Sequence, residues 1–135
     1  MHLKHANVTT PDVAALADVF QRFFGFTPLL QRGQNAFALL RDQDDFVLTL
    51  MKPKKNDPER YPETFHLGFY CDSPELVRAK HAELLAAGLS PGDVETIDRG
   101  GSVTTFYCRP SPGSVLIEVA TPPGFKAATL AEEIA

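Results

Sequence analysis

The sequence predicts an α+β protein built from two βαβββ modules. The main observation is an internal repeat: a strand-like run, a capped helix and three further strand-like runs occur twice. In both copies the helix start and stop signals have the same spacing, fourteen residues from Pro11 to Gly25 and from Pro74 to Gly88. Equal spacing of a proline in the first turn and a terminating glycine favours duplication over coincidence.

The first module is predicted over about residues 1–51. Its first strand is Leu3–Thr9, and its helix begins with Thr10 or Asp12 as the N-cap. Apolar residues at helical spacing give the helix one buried face, comprising Val13, Leu16, Phe20, Phe23 and Phe24. Three further strands are expected at Pro28–Gln31, Ala36–Arg41 and Phe46–Met51.

The second module is predicted over about residues 65–121 and repeats the first. Its first strand is Phe65–Cys71, and residues 72–75 begin the helix. The apolar face of this helix is expected to comprise Val77, Leu84 and Leu85. The remaining strands are expected at Val94–Ile97, Val103–Arg109 and Val115–Ala120.

Residues 1–135 are expected to form a single domain, because a module of about 60 residues has only a marginal core by itself. Residues 52–64 are polar, contain three prolines and are interpreted as a linker between the modules. Residues 122–135 form a tail, in which apolar residues four apart, Leu130 and Ile134, predict a short helix.

Composition argues against several classes of function. The net charge is −4 and basic residues are scattered, so neither nucleic-acid nor membrane-surface binding is expected. The chain shows no apolar run of membrane-spanning length, and its N-terminus does not resemble a signal peptide. Two cysteines, Cys71 and Cys108, are too few for a disulfide framework and suit the reducing cytoplasm as inert buried thiols.

Three residues suggest a metal site. His5 and His66 lie near the starts of equivalent strands in the two modules, and Glu118 lies between Ile117 and Val119 in the last strand. A carboxylate inside an apolar strand is unfavourable unless it is paired or bound to a metal. Two imidazoles and one carboxylate suit a divalent metal and leave up to three coordination positions open.

Each of the three residues also has a purely structural explanation. A histidine in a strand is commonly a hydrogen-bonded structural residue, and Glu118 could lie on the solvent face of an edge strand. Their combination at repeat-related positions favours the metal site.

Several motifs resemble the glyoxalase, bleomycin-resistance and extradiol-dioxygenase superfamily, also called the vicinal-oxygen-chelate superfamily. They are LKHANV at residues 3–8, FFGF at 23–26 and FHLGF at 65–69. The resemblance implies that the paired modules form an open, mostly antiparallel, barrel-like cleft around the metal. It also implies a homodimer, in which each metal site can take ligands from both subunits.

The resemblance also bears on the reaction. Glyoxalase I-like isomerases have a fourth protein ligand in the last strand of the first module, where this chain has Thr49. The end of hydroquinone-type ring-cleaving dioxygenases, in which the glutamate is the carboxylate ligand, is similar to five short motifs of this chain, at residues 98–99, 106–109, 112–113, 115–121 and 123–125. The favoured function is therefore an extradiol-type dioxygenase that uses Fe(II) to cleave a small aromatic diol, with Mn, Ni or Zn as other possible metals.

Two alternatives remain open: a glyoxalase-like lyase or isomerase, and a metal-free small-molecule binding protein of the bleomycin-resistance type. For the enzyme, Tyr107 is the candidate proton donor or acceptor and Arg99 the candidate for stabilising a substrate oxyanion. Asn7 shares a strand face with His5 and is expected to bind substrate, as is Phe106. Tyr107 and Phe106 could equally be core aromatics, and Arg99 a solvated turn residue.

Overall fold

The structure is a computed structural model, and it describes residues 1–124. Within them the predicted βαβββ order occurs twice, which confirms the α+β class and the repeat. The first copy comprises β1 (His5–Thr9), α1 (Val13–Phe23), β2 (Thr27–Arg32), β3 (Phe37–Arg41) and β4 (Val47–Met51). The second comprises β5 (His66–Tyr70), α2 (Pro74–Ala86), β6 (Glu95–Asp98), β7 (Ser102–Cys108) and β8 (Leu116–Ala120).

The chain divides into two compact units, each of which holds one sheet and one helix. The first contains Met1–His66 together with residues 109–116, and the second contains Leu67–Cys108 together with the segment from Ile117 onward. The predicted linker, residues 52–64, belongs to the first unit and forms no helix or strand. That residues 1–135 form a single domain stays a prediction.

The first unit contains an open four-stranded sheet with the strand order β1-β4-β3-β2. β1 is parallel to β4, whereas the β3–β4 and β2–β3 pairs are antiparallel. α1 packs on β3 and β4, where Leu40, Leu48 and Leu50 are fully buried. Because side chains alternate along a strand, Thr49 and its cross-strand neighbour Asn7 lie on the other face of the sheet.

The second unit repeats this arrangement with the strand order β5-β8-β7-β6. The β6–β7 and β7–β8 pairs are antiparallel, and the Cys71 N–H donates a 2.8 Å hydrogen bond to the Ala120 carbonyl beside β5 and β8. α2 packs on β7, in which Phe106 and Cys108 are buried. Alternation therefore places Tyr107 on the face of the sheet away from α2.

Both helices begin with a side-chain cap. The carboxylate of Asp12 accepts a 3.1 Å hydrogen bond from the Ala15 N–H, so the cap of α1 is Asp12 and not the alternative Thr10. The hydroxyl of Ser73 accepts the equivalent bond from the Leu76 N–H at 3.2 Å.

Both helices also end in the same way. Gly25 and Gly88 have φ of 74° and 79°, in the left-handed region that glycine adopts most easily. Beyond each glycine the chain closes the helix with a backbone hydrogen bond, from Phe26 to Phe20 at 3.2 Å and from Leu89 to Leu84 at 3.1 Å. The predicted helix starts and stops are therefore confirmed.

The predicted apolar faces are confirmed in most positions. In α1, Val13, Leu16, Phe20 and Phe23 are buried, whereas Phe24 is half-buried and follows the helix as its C-cap. Val77 and Leu84 of α2 are buried at 0 % and 1 % exposed, but Leu85 is 58 % exposed. Its assignment to the face was wrong, because consecutive residues on a helix point about 100° apart and Leu84, not Leu85, is on the buried side. The predicted tail helix near Leu130 lies outside the described residues. Among residues 1–124, no helix is long and apolar enough to cross a bilayer.

Candidate functional site

Glu118 lies at the centre of a polar network on the second sheet. It is the middle residue of β8 and the direct cross-strand partner of Tyr107 in β7. Its side chain is buried, yet one oxygen accepts two hydrogen bonds: Oε2 is 2.6 Å from the Thr105 hydroxyl and 2.8 Å from Nη1 of Arg99. The buried carboxylate is thus both hydrogen-bonded and ion-paired, and the prediction of a buried position for Glu118 is confirmed.

Arg99 comes from the turn after β6 and links two strands. Its Nη1 bonds to Glu118, and its Nη2 donates a 3.2 Å hydrogen bond to the Tyr107 hydroxyl. The backbone of Arg99 is fixed on both sides, because its N–H donates to the Gly101 carbonyl and its carbonyl accepts from the Gly124 N–H. Arg99 is therefore an organised part of this network, not a solvated turn residue.

The charges in this network stabilise each other. Burial raises the pKa of the Glu118 carboxyl, but hydrogen bonds from Thr105 and Arg99 outweigh it, so the pKa lies below its ordinary value. The hydrogen bonds to Glu118 and Tyr107 raise the pKa of the Arg99 guanidinium. At neutral pH the network contains a carboxylate and a guanidinium, both ionised.

Phe106 does not belong to this polar face. It is 1 % exposed and packs edge-on against the ring of His81 in α2, with ring centroids 5.1 Å apart. His81 is only half-buried and in turn donates a 2.8 Å hydrogen bond through Nε2 to the Gly92 carbonyl, so the Phe106 ring lies in the core on the α2 side of the sheet. The packing of Phe106 offers no support for its predicted substrate contact.

His5 and Asn7 lie on the corresponding face of the first sheet. Nε2 of His5 is 3.2 Å from the Thr49 hydroxyl, which donates a 2.7 Å hydrogen bond to Oδ1 of Asn7. The three side chains form one hydrogen-bonded row across β1 and β4, and both His5 and Asn7 are exposed. The prediction that Asn7 shares a face with His5 is confirmed.

The two sheets place these residues at equivalent positions. His5 and His66 are the first residues of β1 and β5, and Thr49 and Glu118 are the third residues of β4 and β8. The predicted correspondence of the histidines is therefore confirmed by the strand bounds, and the same bounds make Thr49 the counterpart of Glu118. Equivalent positions thus carry a hydrogen-bonded row of His5, Thr49 and Asn7 in one unit and an ion-paired network around Glu118 in the other.

His66 is exposed and is oriented by the backbone. Its Nδ1 donates a 2.8 Å hydrogen bond to the Thr64 carbonyl, which fixes the ring and places the lone pair on Nε2. Metal-binding histidines in proteins are commonly oriented by such a bond through their other nitrogen. The chemistry of His66 therefore suits a metal ligand.

The three proposed ligands fit a divalent metal in kind: two imidazoles and an ionised carboxylate. Within residues 1–124, no three His, Cys, Asp or Glu side chains lie together as a group that could hold a metal ion. Joint binding by His5, His66 and Glu118 stays a prediction.

Thr105 is the residue that the sequence prediction missed. It is 1 % exposed and donates the shorter of the two bonds to Glu118. A signal was available, since Thr105 lies two residues before Tyr107 and therefore on the same face of the same strand. The burial of its hydroxyl could not be predicted without the register of β7 against β8.

Comparison with known proteins identifies the family to which the chain belongs. The chain belongs to the glyoxalase/bleomycin resistance protein/dioxygenase superfamily, whose family model matches residues 2–126. This confirms the resemblance noted in the sequence. No curated protein sequence matches the chain closely enough to be counted as a relative.

Solved structures give the same assignment. A possible glyoxalase from Bacillus cereus is 41 % identical, with a TM-score of 0.72 over 88 % of this chain and 97 % of that one. The fold is shared by a lactoylglutathione lyase from Agrobacterium tumefaciens, 17 % identical with a TM-score of 0.69 over 89 % and 92 % of the two chains. It is also shared by the fosfomycin resistance protein of Listeria monocytogenes, 15 % identical with a TM-score of 0.67 over 90 % and 93 %.

Proposed function

We propose that this chain is a metal-dependent enzyme that binds one divalent metal through His5, His66 and Glu118. The observation that carries the proposal is the state of Glu118, a buried carboxylate kept ionised by Thr105 and Arg99. The oriented ring of His66 supports it, as does membership in a superfamily whose members typically bind a divalent metal. Iron(II) is favoured over Mn, Ni and Zn, since two histidines and one carboxylate are the ligand set of non-haem iron oxygenases.

When bound, the metal would supply Lewis-acid chemistry and a template for substrate oxygens. The residues around Glu118 supply the rest. Arg99 carries a positive charge, which would stabilise an anionic oxygen of the substrate. Tyr107 presents a hydroxyl 3.2 Å from Nη2 of Arg99, where it would donate or accept a proton. Asn7 would hold substrate from the row that it shares with His5.

The reaction class that we propose is ring cleavage of a small aromatic diol by dioxygen. Thr49 stands where a four-ligand isomerase would have a further ligand, and its hydroxyl already bonds to Asn7. The similarity of the short motifs between residues 98 and 125 to ring-cleaving dioxygenases supports the same reaction class. A cytoplasmic location and a homodimer belong to the same proposal.

Two other functions are each favoured by one observation. A glyoxalase-like lyase or isomerase is favoured by the 41 % identity to a structure described as a possible glyoxalase. A metal-free binding protein of the bleomycin-resistance type is favoured by the pair of Arg99 and Glu118, because a carboxylate already neutralised by a guanidinium is satisfied without a metal.

The first experiment is elemental analysis of protein purified anaerobically without chelator, followed by oxygen-uptake assays on a panel of catechols and hydroquinones. About one iron per chain together with substrate-dependent oxygen uptake would establish the dioxygenase. Nickel or zinc without oxygen uptake would favour the lyase, and absence of metal would favour the binding protein.

The ligand assignment is tested by substitution. His66→Ala and Glu118→Gln should each remove most of the bound metal, while His2→Ala, which changes an exposed histidine near the N-terminus, should retain it. Circular dichroism would verify that the variants fold. Full metal content in either ligand variant would overturn the proposed site.

The dimer is tested by mixing these two variants. If His66 and Glu118 of one site come from different subunits, a heterodimer of His66→Ala with Glu118→Gln contains one intact site, and metal binding partly returns. If both ligands come from one subunit, each chain of the heterodimer still lacks one of them and the mixture binds no more metal than the separate variants.

A further inference from the structure

We propose that Arg99 competes with the metal for Glu118 and so sets the metal affinity of the site. This inference rests on the proposed function, because it takes Glu118 as a ligand. Its basis is the 2.8 Å ion pair between Nη1 of Arg99 and Oε2 of Glu118, in which the carboxylate already has a cationic partner. Because the Arg99 guanidinium already pairs with Glu118, metal binding would exchange one cation on this carboxylate for another.

The positive charge of Arg99 opposes metal binding to Glu118. Glu118 is 7 % exposed in its side chain, so water screens the charges around its carboxylate poorly. A divalent cation on this carboxylate brings two positive charges to a group that already holds the guanidinium. Repulsion between the two cations weakens metal binding for as long as Arg99 stays in place.

Arg99 is nevertheless able to leave Glu118. Its side chain is 35 % exposed, so the guanidinium can reach solvent without crossing the core. It also has a second partner, the hydroxyl of Tyr107. The backbone bonds of Arg99 to Gly101 and Gly124 anchor the turn, so that movement is confined to the side chain. These features distinguish a displaceable competitor from a permanently buried partner.

Thr105 has the opposite role in the exchange. It is uncharged, 1 % exposed and bonded to the same Oε2 at 2.6 Å. When Arg99 is displaced, Thr105 still satisfies this oxygen without repelling the metal. The two donors to Glu118 are therefore expected to affect metal affinity differently, and only the charged one acts as a competitor.

The test is isothermal titration of the full chain with manganese(II) and with zinc(II). Arg99→Gln removes the competing charge and should bind each metal about tenfold more tightly than the wild type or better. Arg99→Lys keeps the charge and should remain much closer to the wild type. Arg22→Gln removes the same charge from an exposed pair with Asp18 in α1, and it should leave the affinity unchanged.

Thermal unfolding of the metal-free proteins would verify that each variant folds. Equal or weaker metal binding by Arg99→Gln would overturn the inference, as would equal tightening in Arg22→Gln. If the wild type binds metal through Glu118 and Arg99→Gln gains no affinity, only this inference fails. If neither protein binds metal, the proposed function fails with it.

Discussion

Thr105 donates a 2.6 Å hydrogen bond to Oε2 of Glu118, and both residues are buried, at 1 % and 5 % exposed. The bond joins neighbouring strands, since Thr105 lies in β7 and Glu118 in β8. A hydrogen bond to an ionised, buried group is stronger than one between neutral groups. This contact therefore contributes to the stability of the second unit whether or not a metal is bound.

Replacing Thr105 with valine should lower the free energy of unfolding by about 1.5–3 kcal/mol, because it leaves an ionised carboxylate with one donor fewer at nearly constant volume. Urea unfolding of the metal-free protein would measure the loss. Thr105→Ser, which keeps the hydroxyl, should recover much of the stability. Thr96→Val changes an exposed threonine in β6 and should alter stability by less than about 0.5 kcal/mol. A similar loss in both valine variants would argue against the buried hydrogen bond.

Glu118 should make stability depend on pH. Its folded pKa lies below the ordinary value of 4.5, so it contributes stability that is present above the unfolded pKa and lost as the pH falls through the folded pKa. The wild type and Glu118→Gln should therefore differ less in their free energy of unfolding as the pH is lowered from about 7 to about 3. Unfolding curves of the metal-free proteins across this range would measure it. If this difference in the free energy of unfolding stays constant with pH, folding does not shift the pKa of Glu118.

Two adjacent leucines offer a matched test of how α2 packs. Leu84 is 1 % exposed and Leu85 is 58 % exposed. Leu84→Ala should create a cavity and reduce the free energy of unfolding by about 2–5 kcal/mol, whereas Leu85→Ala should change it by less than about 0.5 kcal/mol. Equilibrium unfolding would measure both variants. Comparable losses of unfolding free energy would place both leucines in the core and contradict the orientation of the helix.

Gly124 should tolerate no side chain. A Cβ at this position would lie 2.1 Å from the carbonyl oxygen of Gly100, in the turn that carries Arg99. Gly124→Ala should therefore destabilise the protein by about 1–3 kcal/mol, because backbone must move to relieve the overlap. Gly68→Ala in β5 is the control, since an added Cβ there meets nothing within 4 Å. Thermal unfolding would compare the two variants. Equal midpoints would contradict the close approach of Gly124 to the backbone of Gly100.

Much of the fold could be predicted because its signals are local. The helix caps at Asp12 and Ser73, and the glycines that end both helices, depend on residues a few positions apart in the chain. Leu85 was wrongly assigned because, in a single sequence, either of two adjacent leucines fits the apolar face of a helix. Only the packing of α2 on β7 distinguishes the two leucines.

The candidate site was predictable in part. Glu118, Arg99 and Tyr107 were chosen from their residue types and from the family resemblance, and the structure connects the three by hydrogen bonds. Thr105 was missed because threonine is common in strands for reasons of shape alone. The sequence predicts Phe106 as an aromatic wall of the cavity, but alternation along β7 turns it toward His81. The burial of Thr105 depends on the register of β7 against β8, which no short motif encodes, whereas the orientation of Phe106 follows from alternation along β7.

The row of side chains on the first sheet makes the two repeat-related histidines opposite tautomers. The Thr49 hydroxyl has one hydrogen and gives it to Asn7, so a neutral His5 must donate through Nε2 and keep its lone pair on Nδ1. His66 donates through Nδ1 and keeps its lone pair on Nε2. The two imidazoles thus have the same strand position in the two modules but carry the lone pair on different ring nitrogens. An electrophile would therefore react with Nδ1 of His5 but with Nε2 of His66.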